Sequence, residues 1–305
     1  MNTSSRPDIE RAEQFIWHTG RLLERLRFAA LFRDGDPART VDALRPYANP
    51  DGGFAEALEP DFRGPISQPM TVDMGLNVLD QLDAFDDPMV SLAYDYLQSV
   101  TTEEGGVPNT LARTVEFPHA PWWAPAPGAP ASVLPTGSLV ALACDNGVTH
   151  PWIESATAFA WRAVEELVRT GPEGDTPLAL LGLAYRSRAA ITFLDHAPDR
   201  PRAEALAGHL GPLLIGSGAV ELDPAAPGEA MTPLDFAEHP DSLARTWFDD
   251  ATIERHLDAL IAAQGDDGGW PVPWPIWTPA TEPEWRGILT VERLRILRSH
   301  GRWIT

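Results

Sequence analysis

Apolar residues fall in helical register along almost the whole chain. Over residues 10–32, Phe15, Leu22, Leu23, Leu26 and Ala30 recur at helical spacing, which predicts a helix there. Residues 37–45 fit a short second helix. Residues 70–82 carry Met70, Met74, Leu76, Val78, Leu79 and Leu82 as the next apolar set. A helix over 88–100 opens with Pro88, whose missing N–H costs nothing in a first turn. The same reasoning predicts helices over 136–146, 152–169, 177–188, 202–214, 250–264 and 282–299. Alternating β-branched runs are few and short, so the chain reads as ten to twelve helices with almost no strand.

The helices differ in how much of their circumference is apolar. Ser-Leu-Val-Ala-Leu-Ala-Cys, ending at Cys144, and Pro-Leu-Ala-Leu-Leu-Gly-Leu, ending at Leu183, have hardly a polar side. A helix apolar all round is buried all round. The helix over 250–264 instead shows Glu254, Arg255 and Asp258 on a polar face. Buried and half-exposed helices together predict an all-α fold, a single α/α toroid over 1–305 with an inner ring wrapped by an outer one.

A period supports the ring. Asp51-Gly52-Gly53-Phe54, Glu104-Gly105-Gly106-Val107 and Asp267-Gly268-Gly269-Trp270 are copies of one element, and Ser217-Gly218-Ala219-Val220 is a degenerate copy. Their glycines at 52, 105, 218 and 268 are 53, 113 and 50 residues apart, so one unit near Gly171 to Gly174 has lost its signature. A repeat of about 54 residues gives five to six helical hairpins, each with a glycine turn between its helices. Glycine accepts the positive φ of such a turn, and the aromatic supplies buried area at each joint.

Gln264-Gly-Asp-Asp-Gly268-Gly-Trp270 resembles the QW repeat of the prenyltransferase/squalene-oxidase family, which includes the class II terpene cyclases. The segments at 49–54 and 103–108 are similar to weaker copies. The resemblance implies an α/α toroid in which the aromatic and the glutamine tie neighbouring helices together. It also implies chemistry on a hydrophobic, isoprenoid substrate by acid-initiated cyclisation or isomerisation. The family's acid motif, Asp-x-Asp-Asp, is absent. Phe248-Asp249-Asp250 reads as a helix cap, and the acidic pair Asp86-Asp87 as a hairpin turn before Pro88.

Composition narrows the classes. The formal charge is −21, and every cationic side chain is Arg. So acidic a surface excludes nucleic acid and anionic membranes as partners, because both select a basic footprint. The single cysteine, Cys144, lies in an apolar helix, which excludes an internal disulfide and a multi-cysteine zinc site. The eight His show no ligand spacing, so neither a metal nor a cofactor is expected. The start of the chain is polar and lacks an apolar signal segment. No apolar run reaches membrane-spanning length. The expected setting is cytoplasmic, and the expected partner a small molecule.

Three loops carry the candidate chemistry. The first holds Glu59, Asp61, Arg63 and Gln68. The second holds Asp235. The third holds Trp270, Trp274 and Trp277, followed by Glu284, Trp285 and Arg286. Carboxyls beside apolar groups have raised pKa values and act as general acids, which makes Asp61, Asp235 and Glu59 the candidate catalytic residues. Arg63 and Arg286 are candidate anion grips, Gln68 a further substrate contact, and Trp270, Trp274 and Trp277 a wall able to hold a cation or stack a sugar. Two other readings stay open: a carbohydrate hydrolase or lyase on an α/α barrel, and a non-catalytic binding toroid. The lining of the ring's axis separates the three.

Overall fold

The computed structural model describes residues 6–226 and 228–303. Among them the chain forms twelve α-helices and no strand, with only three isolated antiparallel bridges. The helices run as six consecutive pairs: α1 (Ile9–Thr19) and α2 (Leu22–Phe32), α3 (Pro37–Leu44) and α4 (Pro69–Asp80), α5 (Pro88–Ser99) and α6 (Val133–Asp145), α7 (Pro151–Thr170) and α8 (Pro177–His196), α9 (Arg200–Ser217) and α10 (Pro233–Phe236), α11 (Asp250–Ala262) and α12 (Thr281–Ser299).

Helix starts follow from local chemistry. Asp8, Asp36, Asp87, Ser132, Thr176, Asp199 and Asp249 each accept a backbone N–H of the helix they open. Proline follows the cap in the first turn of α3, α5 and α8. The single helix expected over 10–32 is two. Its apolar spacing continues, but the backbone is extended at Gly20 and Arg21, and α2 restarts at Leu22.

Even-numbered helices form the inner ring and odd-numbered ones the outer. α6 packs along α8 and against α4, α10 rests on α8, and α2 meets α12; outside, α5 lies on α7 and α7 on α9. α12 also packs on α1, which closes the ring. α6 is buried nearly throughout, as its composition requires. One apolar core runs between the two layers, with Phe28, Leu76, Tyr94, Trp152 and Phe193 among its fully buried members. No helix among the described residues is long and apolar enough to cross a membrane.

The glycine turns hold neighbouring pairs together by one geometry used three times. Gly52, Gly105 and Gly268 have φ of 90°, 92° and 95°. In each turn the first glycine's N–H donates to the carbonyl three residues back, and that residue's N–H returns to the second glycine's carbonyl. Each turn then docks on the next outer helix. A Cβ at Gly52 would sit 2.2 Å from Leu92 O, at Gly105 3.0 Å from Ser155 O, and at Gly268 2.1 Å from Arg11 O. Four residues further along those helices, Tyr96, Phe159 and Phe15 lie against the second glycine of each turn. The third turn lands on α1, so it is also the ring's clasp.

The degenerate copy keeps the place but not the geometry. Gly218 ends α9 as a left-handed cap, with φ of 74° and nothing within 4 Å of its Cβ position. It closes a helix and docks on nothing.

Candidate functional site

Every glycine-turn connection runs from an outer helix to an inner one, so the long loops at 48–68, 101–132 and 263–280 share one end of the ring. Two features meet there: a cap of aromatic side chains over the inner helix starts, and below it a polar axis.

Asp61 is the hub of the cap. It is 3% exposed. Trp122 Nε1 donates to Asp61 Oδ2 at 2.9 Å and Trp285 Nε1 to Oδ1 at 3.0 Å. Trp277 turns its indole N–H toward the same carboxylate, though no acceptor lies close enough to complete a bond. The Asp61 carbonyl accepts Ala120 N–H at 2.8 Å, and Arg63 N–H reaches Pro118 O at 3.0 Å, so the first loop is zipped to the second. Arg63 forms a two-pronged ion pair with Glu284 in the first turn of α12, at 2.7 and 3.0 Å. Phe62 stacks on Trp123 with ring centroids 5.4 Å apart, and Trp274 meets Trp285 edge-on at 5.0 Å. Burial pushes the Asp61 carboxyl up, opposed by the indole N–H groups and Arg63. Burial and then the Asp61 charge push Glu59 well above the usual range. Glu59 Oε2 accepts the Asp61 N–H at 2.7 Å.

The axis is lined by charge. On α4, Asp73 accepts from Ser138 Oγ of α6 at 2.5 Å and from Asn77 Nδ2 at 3.3 Å. On α2, Arg27 reaches Gln81 and, on α12, Glu292, each at 2.5 Å; Arg295 also bonds Glu292, at 2.7 Å. On α8, Tyr185 donates to Glu229 at 2.7 Å, and Arg188 pairs with Glu238 at 2.5 Å. Asp235 pairs with Arg293 of α12 at 3.3 Å. Arg188 acts electrostatically on Asp73, Tyr185 and Asp235, so these groups share one space.

The carboxyls of the axis are driven apart. Burial lifts Asp73 to about 6, against the pull of Ser138, Arg188 and Asn77. Burial also lifts Asp235, but Arg293, Arg188 and two hydrogen bonds from Thr232 outweigh it and hold this carboxyl below its usual value. Arg295 and Arg27 overcome burial at Glu292 and bring it to about 2. Of these three carboxyls, Asp73 is the one that burial raises toward neutrality.

The structure brings together Glu59, Asp61, Arg63, Trp274 and Trp277 and keeps the other predicted residues apart from them. Asp235 lies on the axis, in a capping box with Thr232. Trp270 is buried in the third glycine turn, its indole bonded to Leu260 O at 2.8 Å. Arg286 braces that turn, with its guanidinium over the Phe15 ring at 4.5 Å and a bond to Asp267 at 2.8 Å. Gln68 is fully buried and accepts Leu111 N–H at 2.9 Å. Asp73, Tyr185 and Arg188 were not singled out by sequence reasoning. The signal for Asp73 was present: Asp73, Asn77 and Gln81 are polar at four-residue spacing along an otherwise apolar helix.

Asp61 is thus a buried carboxylate, not one in a solvated turn. Asp61→Asn would set an amide N–H₂ against an indole N–H that has no other acceptor. The expected cost is about 1–3 kcal/mol of stability, the usual range for an orphaned buried donor. Urea denaturation measures it; a loss below about 0.5 kcal/mol, typical of exposed sites, would contradict the hub.

No family model matches the chain, and no curated protein is matched by it. Solved structures do match. A protein from Actinoplanes superposes with a TM-score of 0.60 at 14% identity, over 96% of this chain and 98% of that one. The type II terpene cyclase MstE from Scytonema, in complex with its substrate geranylgeranyl dihydroxybenzoate, superposes with a TM-score of 0.51 at 13% identity, over 97% of each chain. At such identities the likeness is one of fold: the chain has an all-α toroid like that of a type II terpene cyclase.

Proposed function

We propose that the chain is a small-molecule enzyme that performs proton transfer on its ring axis, with Asp73 as the acid–base group. The observation that carries this is the place of Asp73 on an inner helix, bonded to Ser138 and Asn77 but, among the described residues, to no arginine, while its axial neighbours Asp235 and Glu292 are ion-paired; burial accordingly raises the Asp73 carboxyl and the arginines lower the other two. Carboxyls pushed apart in this way divide the work between a group that exchanges protons and groups that stay charged. Ser138 and Asn77 fix the carboxyl's orientation, and Tyr185 and Arg188 stand where charge developing on a substrate would be met.

The lining favours a polar substrate. Arg27, Arg188, Arg293 and Arg295 are each paired with a carboxylate there, and such charged, hydrogen-bonding groups suit hydroxyls or charged groups better than a hydrocarbon. This supports acid–base chemistry on a polar, carbohydrate-like or acidic molecule.

A second reading has its own support. MstE carries an isoprenoid substrate on a similar toroid, and Asp61 sits among indole rings able to face a cation. In that reading the cap is the reaction chamber, Asp61 the acid of a cyclisation or isomerisation, and Trp274 and Trp277 its wall. Against it, both Asp61 oxygens are already occupied by indole N–H donors, although burial leaves the carboxyl raised.

Mass spectrometry of reactions with geranylgeranyl diphosphate, glucuronides and neutral oligosaccharides separates the two. The axial reading expects conversion of a polar compound, lost in Asp73→Asn. Conversion of the isoprenoid, lost in Asp61→Asn and kept in Asp73→Asn, would move the function to the cap.

A further inference from the structure

The arginines of the axis are not equivalent, and the difference points to a substrate feature. Arg27 is 4% exposed and locked between Gln81 and Glu292. Arg293 is bonded to Asp235, itself held by Thr232. Arg295 is tied to Glu292 one turn earlier on its own helix. Arg188 is 46% exposed, and its partner Glu238 is 37% exposed. Among the described residues, Arg188 Nε and Nη2 both bond Glu238 Oε1, and Nη1 has no protein acceptor. Both members of the pair are reached by solvent, though the Glu238 charge stabilises the guanidinium.

Leu178, in the first turn of α8, is 79% exposed, so the start of this helix is open to solvent.

We propose that Arg188 binds an oxyanion group of the substrate, a carboxylate or a phosphate, by exchanging Glu238 for it. This rests on the reading of the axis as the reaction site and extends it by naming the substrate class. A guanidinium is suited to the task because its planar fork matches both oxyanions with two parallel hydrogen bonds. Asp235 and Glu292 are hydrogen-bonded to arginines of their own, although the Asp235 charge also acts on Arg188. Tyr185, one turn before Arg188, would lie beside the bound group and Asp73 across the axis from it. The protein's net charge of −21 repels anions in general, so an anchored oxyanion needs a local cation with capacity to spare.

Isothermal titration with D-glucuronate and with inorganic phosphate tests the proposal, and the two arms identify the preferred oxyanion. Wild type should bind at least one of them saturably, and D-glucose, which lacks the carboxylate, at least about tenfold more weakly than glucuronate if glucuronate is the ligand. Arg188→Gln should weaken binding at least about tenfold, and Arg188→Lys less, because charge survives and the fork does not. No saturable binding of either probe to wild type, or undiminished binding by Arg188→Gln, would overturn the proposal. The proton-transfer reading is tested separately by the titration of Asp73 itself, so either can fail alone.

Discussion

Gly268→Ala should open the ring where it closes. The added Cβ would lie 2.1 Å from Arg11 O and 2.3 Å from its carbonyl carbon, in the main chain of α1, which cannot yield as a side-chain end can. The residue also holds φ of 95°, a conformation that costs an L residue about 1–2 kcal/mol on its own. With the lost docking, the expected destabilisation is about 3 kcal/mol or more, at the upper end for a point substitution. Gly52→Ala should behave alike, because Leu92 O would be 2.2 Å away. Gly105→Ala should cost less, with Ser155 O at 3.0 Å. Gly218→Ala should cost only about 1 kcal/mol, the strain of a left-handed cap without a clash. Chemical denaturation of the four variants gives the ranking. Equal losses at all four would mean that the turns do not dock as described.

Asp73→Asn should produce the largest change in activity, a fall in turnover of about a hundredfold or more, the contribution of a positioned acid–base group. Its effect on stability should have the opposite sign at neutral pH. Folding lifts the Asp73 pKa from 3.8 to about 6. The folded protein therefore binds this proton more readily than the unfolded chain. That contribution is fully present below about pH 4 and is lost as pH rises through about 6. Asparagine does not titrate and still offers Ser138 an acceptor. The variant should therefore gain on wild type across that window and melt higher at pH 7.5. Glu292 runs the other way: held at about 2 by its arginines against burial, it adds stability that is lost as pH falls from about 4.5 toward 2. Melting curves from about pH 2 to 8 separate the two. An Asp73→Asn protein that melts lower than wild type at every pH would make Asp73 a structural carboxylate.

The ring was legible because its cause is local. A glycine turn and a following buried residue leave the same short signature wherever an outer helix hands over to an inner one, so Gly52, Gly105 and Gly268 could be aligned by eye. The signature failed at Gly218, where glycine serves a helix cap and any repeat is coincidental to docking. It was also silent at Gly20, where a helical apolar pattern continues across a break. The site was less legible. Asp61 stands among prolines and carboxylates that suggest water, yet its indole partners are 61 and 224 residues away. The axis depends on which faces of α4, α8, α10 and α12 turn inward, and that is fixed by ring closure rather than by local sequence. Within α4 alone, Asp73 looks like one polar residue on an apolar helix. Only burial in the assembled ring raises its carboxyl, against the pull of Ser138 and Arg188.

The most direct test of the account is the titration of that one carboxyl. Carbon-13 NMR of aspartate-labelled protein, with the Asp73 resonance assigned by its loss in Asp73→Asn, should show a midpoint near pH 6, as burial on the axis requires. It should hardly move in Ser138→Thr, which keeps the hydroxyl, and should shift upward in Arg188→Gln, because the guanidinium favours the ionised form. A midpoint near 4, unmoved by the loss of Arg188, would contradict an acid–base group on the ring axis.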